Sequence, residues 1–207
     1  MFIDTNKIPF YYLNYEGYVD RNIHMIELIK KLNINGIRVS NNAEDELRQN
    51  RIAIGFIKLL ELAISNNQFP FISMDDDINP IKELPTQLNI PEEADLVFLG
   101  GSLYDTGGYK PNMYIEDFND QYYRSYYMLS LHSMIIPNIK SARFLIDSVK
   151  ESLKNGQFLD VDITMRSKDL IFLTPKDGPY FYQNNYNESV TRFLWKDVKD
   201  SCLIKYL

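Results

Sequence analysis

Phe69-Pro-Phe-Ile-Ser-Met-Asp-Asp-Asp77 is a short apolar run that ends abruptly in three carboxylates. A run of this length, with proline confined to its start, reads as a buried strand, the third of the chain, over Phe69–Met74. On a strand, residues i and i+2 point to the same side, so Asp75 and Asp77 are expected to aim two carboxylates at one point. Working towards the N-terminus, Asn66-Asn67 closes a long helix that starts near Asp45 and carries Ile54, Ile57, Leu60 and Ile64 on one face. Before it, Gly36–Val39 reads as a short strand. Asp20 reads as the N-cap of a helix whose Ile23, Ile26, Ile29 and Leu32 share a side. Pro9–Leu13, followed by the turn-like Asn14-Tyr-Glu-Gly17, is the first strand. Strand, helix, strand, helix, strand is an α/β pattern.

Towards the C-terminus, a proline-bearing connection from Pro80 to Pro91 leads to a fourth strand, Ala94–Leu99, that halts at Gly100-Gly101. Gly101 to Asn119 shows no period and is too long for an inert connection, so it reads as a functional loop. Tyr126–Ile136 is strand-like. Asn138 caps a helix with Ala142, Leu145, Val149 and Leu153 on one face and Gly156 just past its end. Asp169–Thr174 is a last strand, and the tail from Pro179 is irregular. The expected fold is therefore one α/β domain over residues 1–207, Rossmann-like, with a mixed, mostly parallel sheet of about six strands flanked by helices.

Composition narrows the function. Twenty-two Lys and Arg against 28 Asp and Glu give a net charge of −6, the wrong sign for a protein that grips nucleic acid by its phosphates. The one cysteine, Cys202, has no partner for an internal disulfide, Met1–Lys7 lacks the apolar stretch of a signal peptide, and no run is long enough to span a bilayer. A cytoplasmic setting is the expectation.

The aspartate run admits several chemistries. In open α/β sheets ligands bind beyond the carboxyl ends of strands, where hard oxygen donors such as Asp75 and Asp77 suit Mn²⁺ or Mg²⁺. Three adjacent negative charges repel, and a divalent cation offsets that repulsion; a solvated turn is the plain alternative. An EF-hand is excluded, because Pro80 stands where glycine is required and Thr86 where the twelfth-position glutamate should bind. A haloacid-dehalogenase phosphatase, with Asp75 as nucleophile, remains the competing enzyme, although its motif belongs on a first strand and Asn79 stands where that family has Thr or Val. A non-catalytic sugar- or metal-binding module is the third reading. A nucleotidyltransferase lacks support, since Asn14-Tyr-Glu-Gly17 holds only one glycine.

Phe10-Tyr-Tyr-Leu-Asn14 with Asp20-Arg21, Ile52-Ala-Ile-Gly55 opening a long helix, Phe71-Ile-Ser-Met-Asp-Asp-Asp77 and Asp95-Leu-Val-Phe-Leu-Gly100 together resemble GT-A glycosyltransferases with a DxD motif. The likeness is strongest to the small lipopolysaccharide-type enzymes and to the compact glycosyltransferase domain of large algal (chlorella) viruses. It covers most of the chain in element order. It implies a metal-dependent transfer of a hexose, glucose first, from a UDP-sugar donor to a glycan or glycoprotein acceptor. It further implies a nucleotide-binding half over residues 1–100 and an acceptor-binding half over 101–207. Donor contacts are implied for Tyr11, Tyr12, Leu13, Asn14, Arg21, Asp75, Asp76 and Gly100. Asp77 is the first expected metal ligand, Asp75 a contact to metal or ribose, and His132 an additional metal ligand.

Each assignment has a plainer counterpart. Tyr11 and Tyr12 are candidates to stack on uracil, though strand aromatics are more often core. His132 reads equally as a core histidine, and His24, beside the apolar face of its helix, as exposed. Asp160 and Asp162, a second i, i+2 pair, match by position a residue that deprotonates or orients the acceptor hydroxyl; a helix cap near Asp162 is the alternative. Arg48 and Arg51 reach a diphosphate or form surface ion pairs. Asn184, Asn185 and Asn187 suit sugar hydroxyls or a plain loop. Gly101 to Asn119, with Gly107, Gly108, Tyr104, Tyr109 and Tyr114, and the tail with Arg192 as a phosphate contact, are expected to close over the donor.

Overall fold

Pro9–Tyr15 forms strand β2, whose first four residues are all buried, as a strand covered on both faces requires. Its neighbours are β3 (Asn35–Asn41) and β4 (Phe71–Asp75), both parallel to it. The computed structural model describes residues 1–42, 47–102, 115–126, 128–165 and 170–183. In chain order the remaining elements are β1 (Phe2–Asp4), α1 (Val19–Leu32), α2 (Arg48–Ser65), β5 (Ile78–Pro80), β6 (Gln87–Asn89) and β7 (Leu96–Ser102). Then follow β8 (Ile115–Asp117), β9 (Tyr122–Ser125), β10 (Leu129–Ile136), α3 (Ile139–Asn155), α4 (Leu159–Met165), β11 (Phe172–Pro175) and β12 (Phe181–Gln183).

The main sheet is mixed and mostly parallel, as expected, but it has eight strands rather than about six, in the order β3-β2-β4-β10-β7-β11-β9-β8. β10 runs antiparallel between β4 and β7, β11 is parallel to β7, and β9 and β8 extend the far edge in antiparallel fashion. Two small sheets, β1 with β6 and β5 with β12, sit apart. Strands of three or four residues hold too few positions to show an alternation, which is why β8 and β9 escape a reading of the sequence.

Alternate residues of the central strands feed two cores. Tyr11, Phe71 and Phe98 pack with Leu60 of α2 and Leu145 of α3 on one face. Phe10, Tyr12, Ile72 and Leu99 pack with Met25 and Leu28 of α1 on the other, joined there by Ile3, Leu88, Ile78 and Phe181 from the small sheets.

Two sequence expectations about helices are corrected. In α1 the buried residues are Met25 and Leu28, while Ile23 and Ile26 are exposed. A spacing of three advances about 300° per step, so Ile23 and Leu32 end on opposite sides of a helix of 3.6 residues per turn. Tyr18, not Asp20, is the N-cap, and it caps without its side chain. In α2 Leu60 is buried and Ile57 and Ile64 pack partly buried against the core, as expected, while Phe56, Leu59 and Ala63 complete the buried stripe; the expected start near Asp45 lies outside the described residues. α3 follows the sequence closely: the Asn138 side chain accepts from Ser141 N at 3.0 Å, and Gly156 closes the helix with φ of 66°.

Candidate functional site

The carboxyl ends of β2 and β4 lie side by side, with Leu13 registered against Asp75, and β3 places Asn41 against Tyr15. β4 stops at Asp75; Asp76 and Asp77 form the turn into β5. The expected i, i+2 alignment of Asp75 and Asp77 on a strand therefore does not apply, because only Asp75 is on the strand.

The turn is held by a chain of polar contacts. Asn14, fully buried, donates through Nδ2 to Asp76 Oδ2 at 2.6 Å and accepts at Oδ1 from Arg38 Nε and Nη2 at 3.1 and 2.7 Å. Arg21 Nη1 donates to Asp76 Oδ1 at 2.9 Å and lies 3.1 Å from Asp77 Oδ2. Asp76 and Asp77 are 6% and 4% exposed. Burial alone lowers the Arg21 pKa, but its hydrogen bond to Asp76 and the charges of Asp77 and Asp76 outweigh that and hold it above its ordinary value. The mutual repulsion that the sequence suggested a cation would offset is met, for two of the three carboxylates, by Arg21. On α1, the half-buried His24 donates from Nε2 to the Ile78 carbonyl at 2.7 Å, tying the helix to the residue after the turn; the expected exposure of His24 is corrected.

Two cavities meet at Asp75. The smaller, about 90 Å³, is lined by Asp75, Asp76, Asp77, Arg21, Arg48 and Arg51, and by the rings of Tyr15 and Tyr18. The larger, about 410 Å³, shares Leu13, Arg48, Ile52 and Asp75 with it and has Asp160 on its wall. Tyr15 and Tyr18 are partly exposed and meet edge to face with ring centres 5.4 Å apart. Arg51 lies over the Tyr15 ring at 5.6 Å and Arg21 over the Tyr18 ring at 4.9 Å.

Several predicted site residues fall elsewhere. Tyr11 and Tyr12 are 0% and 3% exposed on opposite faces of β2, with their hydroxyls on Gln68 and on Asn22; an enclosed ring has no face left for a base. The rings that line the cavity are Tyr15 and Tyr18, which sequence reading did not single out. The available signal was position, since they follow the apolar run at the carboxyl end of the strand. Asn14 touches Asp76 rather than the cavity. Gly100 is buried beneath β12: a Cβ there would lie 2.7 Å from the Phe181 carbonyl oxygen and 2.9 Å from the His132 ring, so close packing explains the glycine. His132 is 2% exposed on β10, one residue beyond the registered pair Ser133–Met74, while Asp75 stands one residue beyond it on β4. Asp160 and Asp162 lie on a helix, where i and i+2 diverge by about 200°. Asp160 faces the larger cavity, and Asp162 is buried away from both cavities. Arg192, Asn184, Asn185, Asn187 and the expected lid residues Tyr104, Gly107, Gly108, Tyr109 and Tyr114 lie outside the described residues.

Among the described residues no three His, Cys, Asp or Glu side chains converge as a metal cage. No helix of the described residues is long and apolar enough to cross a membrane.

The mixed sheet and its flanking helices match the GT-A-like fold, and solved structures of GT-A-type glycosyltransferases are similar to this chain. One is a glycosyltransferase involved in the glycosylation of the major capsid of the virus PBCV-1, 8% identical, covering 89% of this chain and 94% of its own, with a TM-score of 0.56. Others are a Drosophila β-1,4-galactosyltransferase 7 mutant with manganese, UDP-Gal and xylobiose (13% identity, 92% and 78% covered, TM-score 0.47) and GlyE of Streptococcus pneumoniae TIGR4 (10%, 97% and 64%, TM-score 0.48). No protein-family model matches the chain, and no curated protein matches it by sequence. At these identities the likeness establishes the fold.

Proposed function

We propose that the chain transfers a hexose, glucose as the first candidate, from a UDP-sugar to a glycan acceptor with the help of Mn²⁺ or Mg²⁺. The observation that carries this reading is the meeting of two cavities at Asp75. One is lined by three arginines, three aspartates and two tyrosines that meet edge to face, and the other has Asp160 on its wall. Residues 1–100 supply the first set, and both halves of the chain line the second cavity, to which residues 101–207 contribute Asp160.

In this reading, Tyr15 or Tyr18 offers a face to the base, and Arg48 and Arg51 meet the diphosphate. Asp75 lines both cavities, and Asp76 and Asp77 pair with Arg21. One hard carboxylate fits a cation that takes most of its ligands from substrate phosphates and water. Such a cation supplies charge stabilisation to a departing nucleoside diphosphate. In the transfer the anomeric C–O bond to the diphosphate breaks, the acceptor oxygen bonds to the anomeric carbon, and the acceptor proton passes to Asp160.

Titration of UDP, GDP and CMP, each with and without Mn²⁺, tests the reading. UDP is expected to bind best and more tightly with metal; equal affinity in a chelator removes the cation, and no UDP binding overturns the nucleotide site. Asp160→Asn is expected to cut transfer by about 10²–10⁴ while UDP still binds. An aryl phosphatase activity lost in Asp75→Asn would replace the transferase with a dehalogenase-type phosphatase.

A further inference from the structure

The larger cavity has a mixed wall with a broad apolar side. Leu13, Ile52, Phe56, Leu131, Met134 and Leu159 lie on that side, and Arg48, Gln49, Ser73, Asp75 and Asp160 supply the polar part. A hexose ring brings several hydroxyls, and each one buried against aliphatic carbon without a partner is unfavourable. At about 410 Å³ the space lies within the range of small-molecule sites. Leu47 and Phe158, 55% and 61% exposed, also line it and leave apolar surface open to solvent. The same cavity carries Asp75 and Asp160, so an occupant of its apolar part has its polar end next to the site of transfer.

Resting on the proposed transferase reading, we infer that the acceptor is amphiphilic: a sugar whose hydroxyl reaches Asp160, joined to an alkyl chain that fills the apolar cavity. The chain binds by removing methylene surface from water, and the walls supply contact without requiring hydrogen bonds. The alkyl group sets which acceptors are used, while the carboxylate acts on the hydroxyl.

The test is calorimetric binding of n-octyl β-glucoside, kept below its micellar concentration, against methyl β-glucoside, with full-length protein. The octyl compound is expected to bind at least tenfold more tightly, which burial of about two methylene groups supplies. Phe158→Ser and Leu47→Ser, at exposed positions that leave the thermal midpoint in place, are expected to erase most of that preference. Equal binding of the two glucosides overturns the inference, as does an octyl preference that survives both substitutions. Because this readout needs neither nucleotide nor turnover, the two readings fail separately. UDP binding without an octyl preference sinks the amphiphilic acceptor alone; an octyl preference lost in Phe158→Ser, in a protein that does not bind UDP, keeps the alkyl site and sinks the transferase.

Discussion

Asn14 has no solvent contact, yet its amide serves three partners: Asp76, Arg38 and the Tyr18 carbonyl. It decides how the acidic turn is presented without touching the cavity. Replacing it with leucine removes the donor to Asp76 and the acceptor for Arg38 at once. A loss of about 2–4 kcal/mol is expected from a urea midpoint, since buried polar groups are then left unsatisfied. A change under about 0.5 kcal/mol would mean that water replaces the amide and that the network does not organise the turn. Arg21 belongs to the same argument. A guanidinium that joins Asp76 and Asp77 keeps two nearly buried carboxylates in place, and its chemistry makes the turn intelligible as folded structure before any ligand is considered.

At the scale of the element, α1 separates an apparent pattern from a real one. Ile23, Ile26, Ile29 and Leu32 look like a stripe in the sequence, but Met25 and Leu28 are buried, Ile29 and Leu32 pack at their edge, and Ile23 and Ile26 face solvent. Met25→Ala is expected to cost about 2–5 kcal/mol as a fully enclosed side chain, and Ile23→Ala no more than about 0.5 kcal/mol at its 49% exposure. Comparable losses from chemical denaturation would restore the three-residue stripe. α4 teaches the related point for carboxylates. A pair at i and i+2 converges on a strand and diverges on a helix, so Asp160 and Asp162 have different surroundings although the sequence presents them alike.

For the whole molecule, the buried phenols set a limit in alkali. Burial pushes Tyr122 up to about 12, and burial, helped by its hydrogen bonds to Asp177, raises Tyr180 as well. Burial also raises Tyr12. In the unfolded chain these phenols lose their protons near about pH 10, whereas the folded protein keeps them. Above that pH the unfolded state binds fewer protons than the native one, so stability falls as pH rises. Thermal midpoints are expected to hold through about pH 9 and to drop beyond about pH 10, with the buried phenols' share of the phenolate absorbance appearing only on unfolding. The double variant Tyr122→Phe, Tyr180→Phe should flatten that drop; an unchanged slope would assign alkaline loss to other groups.

The sequence by itself determined the α/β alternation, a strand leading into Asp75, the Asn138 and Gly156 caps and the acidic run. Each depends on near neighbours in the chain: an apolar period, a capping side chain, or a left-handed residue after a helix. Only the tertiary structure decided which of these residues serve the cavity. Tyr11 and Tyr12 went to the two cores, Tyr15 and Tyr18 to the wall of the smaller cavity, Asp76 and Asp77 to Arg21, and Asp75 and Asp160 to one cavity. Those outcomes turn on where a strand ends and on contacts between residues far apart in the chain, such as Asn14 with Asp76, 62 positions on. Local periodicity carries no record of such pairings.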